Sequence, residues 1–489
     1  MKFILLLILF FAFLPGMADD RPNIVWIIPD DMSAHFGSYG ETAIETPHVD
    51  SLVASGVKFT NAYVTAPVCS TCRSAFITGM YQTSIGAHHH RSGRGEMKIE
   101  LPEHIKLVPQ IFQEAGYHTS ISGWPGNGKP GKTDYNFEWD KAVYDGTSWT
   151  ERNDGQPFFA QIQTAGGKLR GKDQGGWEKV AASAEQVFGE RTPLDAVKLP
   201  PYYPEHPDIV RDWAAYLDSV RLTDHMVGEV VAKLKADGVY ENTIILFMTD
   251  HGISHARGKQ FMYDEGLHVP LVISGPGIDA GTVREDVVEH IDIAALSLGA
   301  AGIAIPEWMQ ARDILASNYE AREAVFGARD RCDETVDHMR SVRTKEFKYI
   351  RNFLPERPYL QPCAYKDAKS IITAMREWHD AGKLDEAQSL IMRETRPPEE
   401  FYDVVNDPHE INNLADDPAH AEKLVNLRGL LDAWMEETND KGMTPESEEM
   451  YDSDMAPYLS KFTNGKNPEQ LAIIEANISW MKKMAAEGK

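Results

Sequence analysis

Pro22-Asn-Ile-Val-Trp-Ile-Ile-Pro-Asp-Asp31 is the stretch that best identifies the fold class of this chain. Its apolar run is nearly continuous and rich in β-branched residues, which is typical of a strand buried on both faces of a parallel sheet. A second run of this kind, Asn242-Thr-Ile-Ile-Leu-Phe-Met-Thr249, leads directly into Asp250-His251. Both runs therefore predict buried strands, each followed at once by side chains that can do chemistry.

Helical patterns separate these two strands. The hydrophobic spacing and the glycines that end the helical patterns predict five elements. They are a helix and then a strand over residues 46–60, a helix over 105–115, a strand over 158–163, and a long amphipathic helix over 209–236. Strands that alternate with helices predict an α/β domain with a largely parallel sheet.

The pattern changes towards the C-terminus. Val325-Phe326-Gly327 predicts a last strand of the large domain, whereas residues 341–351 alternate polar and apolar residues, as an antiparallel strand with one wet face does. We therefore place a domain boundary near Asp337. The prediction is a signal segment at residues 1–18, a large domain at 19–337 and a smaller C-terminal domain at 338–489.

Charge excludes one class of partner. The chain of 489 residues has a formal net charge of −25, which argues against a nucleic-acid partner because the phosphate backbone attracts basic proteins. Any site for an anionic ligand must therefore be locally basic within an acidic body.

The N-terminus predicts a secretory signal. Lys2 precedes an apolar run over residues 3–14 that is too short to span a bilayer, and Pro15 and Gly16-Met17-Ala18 follow it. An N-terminal membrane anchor is the alternative interpretation. Since no later segment has the length and apolarity of a transmembrane helix, we expect a periplasmic or secreted protein without a membrane span.

The residues after the two buried strands form a candidate metal site. Function in α/β sheets gathers at the carboxyl ends of strands, where Asp30, Asp31, Asp250 and His251 supply three carboxylates and an imidazole. Hard divalent cations prefer oxygen ligands, so imidazole makes His251 the weakest candidate of the four. For an isolated Asp-Asp pair, a helix cap or a turn is the alternative.

Ala66-Pro-Val-Cys-Ser-Thr-Cys-Arg-Ser-Ala-Phe-Ile-Thr-Gly79 places Cys69 four residues before Arg73. Cys69 and Cys72 also form a C-x-x-C pair, so thiol-redox chemistry is an alternative interpretation, and a disulfide between them would consume the Cys69 thiol. The two remaining cysteines, Cys332 and Cys363, could pair in an oxidising compartment. Sequence does not establish whether they lie close enough to do so.

This cysteine stretch resembles the signature of the type I sulfatases, C-x-P-S-R-x-x-x-x-T-G, within the alkaline-phosphatase-like superfamily. Thr71 stands where the pattern has proline, and Cys72 where it has serine. Residues 399–414 resemble the family's tail motif, so the resemblance covers residues 21–414. It implies an α/β fold with a large mixed, mostly parallel sheet flanked by helices, and a smaller C-terminal α+β domain with an antiparallel sheet.

The resemblance also implies a mechanism. In this family the cysteine at the position of Cys69 is oxidised to formylglycine by a formylglycine-generating maturase, and the aldehyde hydrates to a geminal diol. One hydroxyl attacks sulfur, and the second lets the sulfated intermediate collapse to aldehyde and free sulfate. One Ca²⁺ ion is held by residues at the positions of Asp30, Asp31, Asp250 and His251. Arg73 would hold the diol and the charge beside the metal, with a surface salt bridge as its alternative role.

Three lysines stand in segments that resemble the sulfate-contacting segments of the family. Residues 257–270 match G-K-x-x-x-Y-E-x-G-x-x-V-P, which assigns sulfate contact to Lys259. Residues 114–123 match a segment that the family continues with K-x-H. Here we assign the lysine to Lys132, with Lys129 as the alternative, and Asp134 replaces the histidine. Lys168 falls where a family strand usually ends in a sulfate-binding histidine.

Four further residues are candidates for substrate binding. His90 and Arg91 belong to a run of three histidines and an arginine, which cannot all face one ion, so a zinc site is a poor interpretation. A loop at the mouth of a pocket and partial burial without function are the two alternatives. Arg329 and Arg331 have two alternative interpretations, a substrate subsite or a salt-bridge network.

These observations together predict a secreted sulfatase, a sulfuric ester hydrolase, acting on a sulfated carbohydrate. A phosphodiesterase or phosphonate hydrolase of the same superfamily is one alternative. A carbohydrate-binding protein that never matures is another, because Thr71 and Cys72 depart from the family signature.

Overall fold

The computed structural model describes residues 20–126, 128–463 and 467–489, so the predicted signal segment at residues 1–18 lies outside the described residues. Seven strands form the large sheet. They are β1 (Asn23–Pro29), β2 (Gly56–Tyr63), β3 (His118–Gly123), β4 (Phe158–Thr164), β5 (Thr243–Met248), β6 (His268–Ser274) and β7 (Thr282–Glu289). Their order across the sheet is β3-β4-β1-β5-β6-β2-β7.

The large sheet is mixed but mostly parallel, as the sequence predicts. β1 pairs in parallel with β4 and β5, β3 pairs in parallel with β4, and β2 with β7. Only β6 runs antiparallel to its neighbours β2 and β5 among the pairs of this sheet. Every residue of β1, β4 and β5 is buried, which explains their continuous apolar sequences.

The helices up to residue 300 flank this sheet or pack against one another. They are α1 (Pro47–Ala54), α2 (Cys69–Thr78), α3 (Val108–Glu114), α4 (Gln174–Phe188), α5 (Pro207–Ala236), α6 (Asp264–Leu267) and α7 (Asp292–Ala300). The amphipathic helix predicted over residues 209–236 is α5, whose buried face includes Trp213, Leu217 and Val220. α3 begins later than the predicted residue 105, because Pro109 fits the first turn of a helix but not its interior.

The small sheet is antiparallel, as predicted, and has the order β11-β10-β9-β8. Its strands are β8 (Val325–Arg329), β9 (Met339–Arg343), β10 (Phe347–Asn352) and β11 (Glu399–Asp403). The prediction that residues 341–351 form one strand is wrong. The chain turns between β9 and β10, where the Thr344 N–H donates to the Phe347 carbonyl at 2.9 Å.

The prediction that Val325-Phe326-Gly327 forms the last strand of the large domain is also wrong, because β8 belongs to the small sheet. β8 pairs with β9 along its whole length, from Val325 opposite Arg343 to Arg329 opposite Met339. The apolar pattern of a short strand does not reveal which edge it joins. Asp337 lies between β8 and β9, so a boundary at Asp337 falls inside the small sheet.

The remaining helices belong to the C-terminal part. They are α8 (Ala364–Asp367), α9 (Ser370–Asp380), α10 (Glu386–Ser389), α11 (Ala421–Glu437), α12 (Glu448–Ser460) and α13 (Pro468–Ala486). Short 3-10 helices lie at Gly37–Tyr39, Lys141–Val143, Trp149–Glu151, Gly166–Arg170, Leu194–Ala196, Tyr240–Asn242, Leu390–Met392, Pro418–His420 and Lys441–Met443. Within the described ranges, no helix is long and apolar enough to cross a bilayer.

Candidate active site

Three buried carboxylates meet where β1 and β5 end. Asp30 and Asp31 directly follow β1, and Asp250 lies two residues beyond β5. The backbone N–H of Asp31 donates to the Asp250 carboxylate at 3.0 Å, which ties the two strand ends together. Asp31 has a φ of 56°, a backbone conformation that is costly for a residue with a side chain and that clusters at functional sites. The predicted group of acids is therefore assembled at the carboxyl ends of two central strands.

Cys69 lies beside these acids as the first residue of α2 and is only 3% exposed. Its Sγ is 2.9 Å from Lys259 Nζ, 3.1 Å from His251 Nε2 and 3.6 Å from Lys168 Nζ. Burial raises the pKa of the Cys69 thiol, but Lys132, Lys168 and Lys259 outweigh it and lower that pKa to about 6. The position of Cys69 is therefore one that stabilises negative charge.

The N-terminus of α2 adds to this positive field. Val68, which precedes the helix, offers no side-chain cap, and Cys69 as the first helical residue lies at the positive end of the helix dipole. Cys72 makes a different contact, to the backbone carbonyl of Asp250, and burial raises its pKa. Cys69 and Cys72 are both free thiols, so the redox interpretation gains no support.

The second cysteine pair is also unbonded. Cys332 and Cys363 are free and buried, and the Gln260 side-chain amide lies 3.0 Å from one sulfur and 3.8 Å from the other. The disulfide that the sequence left open is therefore not formed in this structure.

Arg73 joins the acids from one turn further along α2. Its guanidinium contacts the Asp30 carboxylate, lies 3.1 Å from Asp250 Oδ2, and donates to Gln163 Oε1 at 2.5 Å. The side chain is 1% exposed. It is thus a buried bridge between two strand ends, and the surface salt bridge considered as its alternative role is wrong.

All three predicted lysines reach the site. Lys132 Nζ lies 3.1 Å from Asp30 Oδ2, Lys168 Nζ contacts the same oxygen, and Lys259 Nζ lies 3.1 Å from Asp31 Oδ1. Burial and the lysines act in opposite directions on the pKa values of Asp30 and Asp31, and the cations lower both well below the ordinary value. The side chains of Lys132 and Lys168 are about one-third exposed, at 30% and 34%. They therefore line the open side, whereas Lys259 lies at the buried base.

Asp134 occupies the place of a histidine in the family pattern. Its carboxylate contacts the Arg94 guanidinium and lies 3.6 Å from Lys132 Nζ. Burial raises the pKa of Asp134, but Lys132, His90 and Arg94 lower it more. Asp134 is therefore an ionised partner of Lys132 and not a proton donor.

Lys129, the alternative to Lys132, is exposed. The geometry therefore favours Lys132 as the lysine that faces Cys69.

The four candidate substrate residues separate into two groups. Near the site, His90 is buried with Nδ1 2.7 Å from Ser70 Oγ, and burial and Arg91 lower its pKa well below the ordinary value. His90 thus supports the residue after Cys69. Arg91 is 40% exposed and lies 3.3 Å from Asp333, so it can reach a ligand.

Arg329 and Arg331 are both buried and paired with acids. Arg329 is 3% exposed and pairs with Asp337 at 3.1 Å. Arg331 is 1% exposed and pairs with Glu446 at 2.7 Å and Asp454 at 2.6 Å. Both belong to the salt-bridge network that was the alternative interpretation, because each guanidinium is already matched by buried acids.

Two residues of the site were not predicted. Gln163 binds Arg73 from the end of β4, and its polar side chain in an otherwise apolar strand was the available signal. Tyr365, in α8, places its hydroxyl 3.5 Å from Asp31 Oδ2 and its ring centroid 5.1 Å from Lys259 Nζ. No pattern in its segment indicated this role.

The site has a donor set that fits a divalent cation. Ligand atoms of Asp31, Asp250, His251 and Cys69 all lie within 4.8 Å of one another, and all four residues are buried. Two of these four donors are carboxylates, the ligand type that suits a hard cation such as Ca²⁺. Burial lowers the pKa of His251, but Asp250 and Cys69 outweigh burial and raise that pKa to about 9. A cation that binds the imidazole must therefore displace a proton.

Comparisons with known proteins found matches to this chain in both sequence and structure. A family model described as Sulfatase matches residues 22–303, and one described as N-sulphoglucosamine sulphohydrolase, C-terminal, matches residues 251–359. An ulvan-active sulfatase of Formosa agariphila is 33% identical, over 92% of this chain and 79% of its own length. Human N-sulphoglucosamine sulphohydrolase is 27% identical, over 87% of this chain and 92% of its own. A solved 2-O GAG sulfatase shares the fold, with a TM-score of 0.62 and 19% identity over 88% of this chain and 96% of that one.

Proposed function

The chain belongs to the sulfatase family of sulfuric ester hydrolases, and from that premise we propose that it cleaves sulfate esters of a sulfated carbohydrate. The nucleophile of this proposal is a formylglycine derived from Cys69, with Ca²⁺ bound beside it. Two relatives support the carbohydrate substrate through their names, an ulvan-active sulfatase and an N-sulphoglucosamine sulphohydrolase.

The observation that carries the proposal is the crowding of cations around Cys69. Lys259 and Lys168 lie within 3.6 Å of its sulfur, and Lys132 adds a third ammonium at the open side. The whole chain has a net charge of −25, so this pocket is a local exception. A sulfate monoester is an anion, and a basic pocket in an acidic body is the place where it would be bound.

The acids at the strand ends would hold the metal ion. Asp31, Asp250 and His251 face Cys69, while Asp30 lies beside them under Arg73. When bound, a divalent cation supplies positive charge that polarises a sulfate oxygen and activates a nearby hydroxyl. Arg73 pairs with the carboxylates of Asp30 and Asp250 and holds both in place.

The lysines would carry the charge of the departing group. Burial lowers the pKa values of Lys259 and Lys168, but the nearby anions raise both, and Asp31 contributes most to the rise. Asp31 remains beside both ammoniums after Cys69 is converted. Both ammoniums therefore stay protonated at neutral pH and can hold a proton at Nζ next to the leaving oxygen. Asp134 is ionised and cannot supply that proton.

We further propose that the chain is exported to the periplasm or beyond, and that a formylglycine-generating maturase converts Cys69 before folding. Every residue of α2 is buried, so the folded segment offers no access to an enzyme. The departures from the signature are compatible with the helix, since the Thr71 hydroxyl donates to the Val68 carbonyl at 2.8 Å. Recovery of the mature N-terminus from a periplasmic extract tests the export.

Release of inorganic sulfate tests the proposed activity. Protein co-expressed with a formylglycine-generating enzyme is incubated with sulfated oligosaccharides, phosphonate monoesters and phosphodiesters, next to Cys69→Ala. We expect sulfate release from at least one saccharide, lost in Cys69→Ala. Faster turnover of a phosphorus ester would favour the phosphonate hydrolase alternative. Saccharide binding with no turnover by fully converted protein would favour the binding-protein alternative.

A further inference from the structure

A second group of basic side chains lies beside the lysines of the active site. Arg91 and Arg94 come from the loop that follows the three histidines, and Lys461 comes from the end of α12, more than 360 residues later in the chain. All three are at least partly exposed, with 40% and 35% exposure for the side chains of Arg91 and Arg94. We call these three residues the basic rim.

The basic rim is physically continuous with the catalytic site. The backbone N–H of Arg91 donates at 2.9 Å to Ser70 Oγ, and Ser70 is the residue after Cys69. On the other side, Arg94 contacts the Asp134 carboxylate, which lies 3.6 Å from Lys132. A ligand whose sulfate occupies the lysine pocket would therefore extend directly over the rim.

The acids near the rim do not balance its charge. Arg91 has one carboxylate partner, Asp333, and its buried Nε has no hydrogen-bond partner within the described part of the chain. Arg94 shares Asp134 with Lys132. The cations outnumber these two acids, so the excess of positive charge marks a place where an anion would be bound.

Lys461 shows the same imbalance from the other side of the rim. Over the described ranges its ammonium has no carboxylate at ion-pair distance, and it lies over the ring of Tyr458 at 5.8 Å from the centroid. The backbone N–H of Arg94 donates to Asp454 Oδ1 of α12 at 3.0 Å, which holds the helix that ends beside Lys461 against this loop. Partial burial and the positive charges of Arg91 and Arg94 lower the pKa of Lys461. An anion bound here would relieve that repulsion.

An aromatic side chain completes the surface. Tyr458 is half-buried on α12 and packs edge-on against Phe462, with 6.0 Å between ring centroids. A tyrosine face next to cations offers both an apolar plane for a sugar ring and charge for its acidic substituents.

We propose that Arg91, Arg94 and Lys461 form a subsite for a second anionic group of the substrate, a carboxylate or a second sulfate. This inference rests on the proposed function and deepens it, because it defines the substrate class as a saccharide with at least two acidic groups. It also assigns a binding role to the C-terminal helix α12, which supplies Lys461 and Tyr458.

Equilibrium binding tests the subsite without turnover. Full-length Cys69→Ala protein is titrated by calorimetry with three probes: a monosulfated monosaccharide, the same sugar with a second sulfate, and a sulfated disaccharide that carries a uronic carboxylate. The titrations are repeated with Lys461→Gln and Arg91→Gln added. Lys383→Gln is the matched control, since Lys383 is also exposed and also lies over an aromatic ring, that of Trp378.

We expect Lys461→Gln and Arg91→Gln each to weaken binding of a dianionic probe about fivefold and to leave the monoanionic probe within about twofold. The dianionic probe that responds identifies the second group as sulfate or carboxylate. Equal losses for all probes, no loss for any probe, or no binding of any saccharide would overturn the subsite.

A separate turnover assay with matured protein keeps the two proposals apart. Selective binding without sulfate release would sink the proposed activity and keep the subsite. Sulfate release with equal affinity for singly and doubly charged sugars would keep the activity and sink the subsite.

Discussion

Lys259 Nζ lies 2.9 Å from Cys69 Sγ, although 190 residues separate the two in the chain. The same ammonium is 3.1 Å from Asp31 Oδ1, so it bridges the nucleophile position and a candidate metal ligand. Its side chain is 5% exposed, and a buried lysine stays charged only where anions surround it. The contact therefore helps to lower the pKa of the Cys69 thiol, which can be measured before maturation.

Replacing this lysine should raise the pKa of the unmatured thiol. In metal-free protein the Cys69 thiol has a pKa of about 6, and Lys259→Met removes one of the three lysines that lower it. We expect a rise of about one unit or more, followed by the ultraviolet absorbance of the thiolate with Cys69→Ser protein as the blank. Lys383→Met should leave the pKa unchanged. An unaltered value in Lys259→Met would show that the contact does not govern the thiol.

Loss of Arg73 should destabilise the fold strongly. Asp30 and Asp250 would remain buried without their common partner, which costs about 3–5 kcal/mol of unfolding free energy. Urea denaturation with a chelator present measures the change. Arg428→Ala is the control, because Arg428 pairs with Glu399 at the surface and should cost less than about 1 kcal/mol. Equal effects of the two substitutions would contradict the account of a buried bridge.

Asp330 should make stability fall as pH rises towards 7. Burial, aided by the nearby Asp440 and Asp337, outweighs Arg340 and raises the pKa of Asp330 from 3.8 to about 7. The folded state therefore holds a proton that the unfolded state releases. The stabilisation is complete below pH 3.8 and is lost as pH rises through 7.

The test of this linkage is Asp330→Asn. From pH 5 to pH 8, the unfolding free energy of the wild-type protein should fall by about 2 kcal/mol relative to the variant. Denaturant titrations at each pH measure the difference, and parallel pH profiles would refute the raised pKa.

Calcium should stabilise the protein through the carboxylates at the strand ends. Added Ca²⁺ at about 100 times its dissociation constant is expected to add about 2.7 kcal/mol, seen as a rise in Tm over protein in chelator. Asp250→Asn should abolish the rise, because it removes one of the clustered ligands. Asp330→Asn, a change at a buried acid outside the site, should keep it. A rise that survives in Asp250→Asn would place the ion elsewhere.

Local sequence was sufficient to predict the elements whose burial follows a regular pattern along the chain. β1, β5 and α5 have patterns that admit one interpretation, because two buried sheet faces require a continuous apolar run and one buried helix face requires a 3.6-residue period. β8 and the β9–β10 turn were assigned wrongly, since pairing partners and turns within a polar alternation depend on tertiary contacts.

In the site, too, local motifs predicted some residues, whereas others depend on tertiary contacts. Cys69, Arg73 and Lys259 could be placed from motifs, because each stands in a long segment with a recognisable order. Arg329 and Arg331 could not be separated from true ligand contacts, since the acids that neutralise Arg331 lie 115 and 123 residues away. Tyr365 reaches Asp31 across 334 residues, a contact that no local pattern encodes.

The mass of the peptide that contains Cys69 tests the central claim most directly. The protein is expressed with a formylglycine-generating enzyme, and the peptide is measured with and without an aldehyde-trapping reagent. The account predicts a loss of about 18 Da relative to the thiol and a trapped aldehyde, in proportion to the sulfate that the same sample releases. Sulfate release by protein whose Cys69 remains a thiol, or is bonded to Cys72, would contradict it.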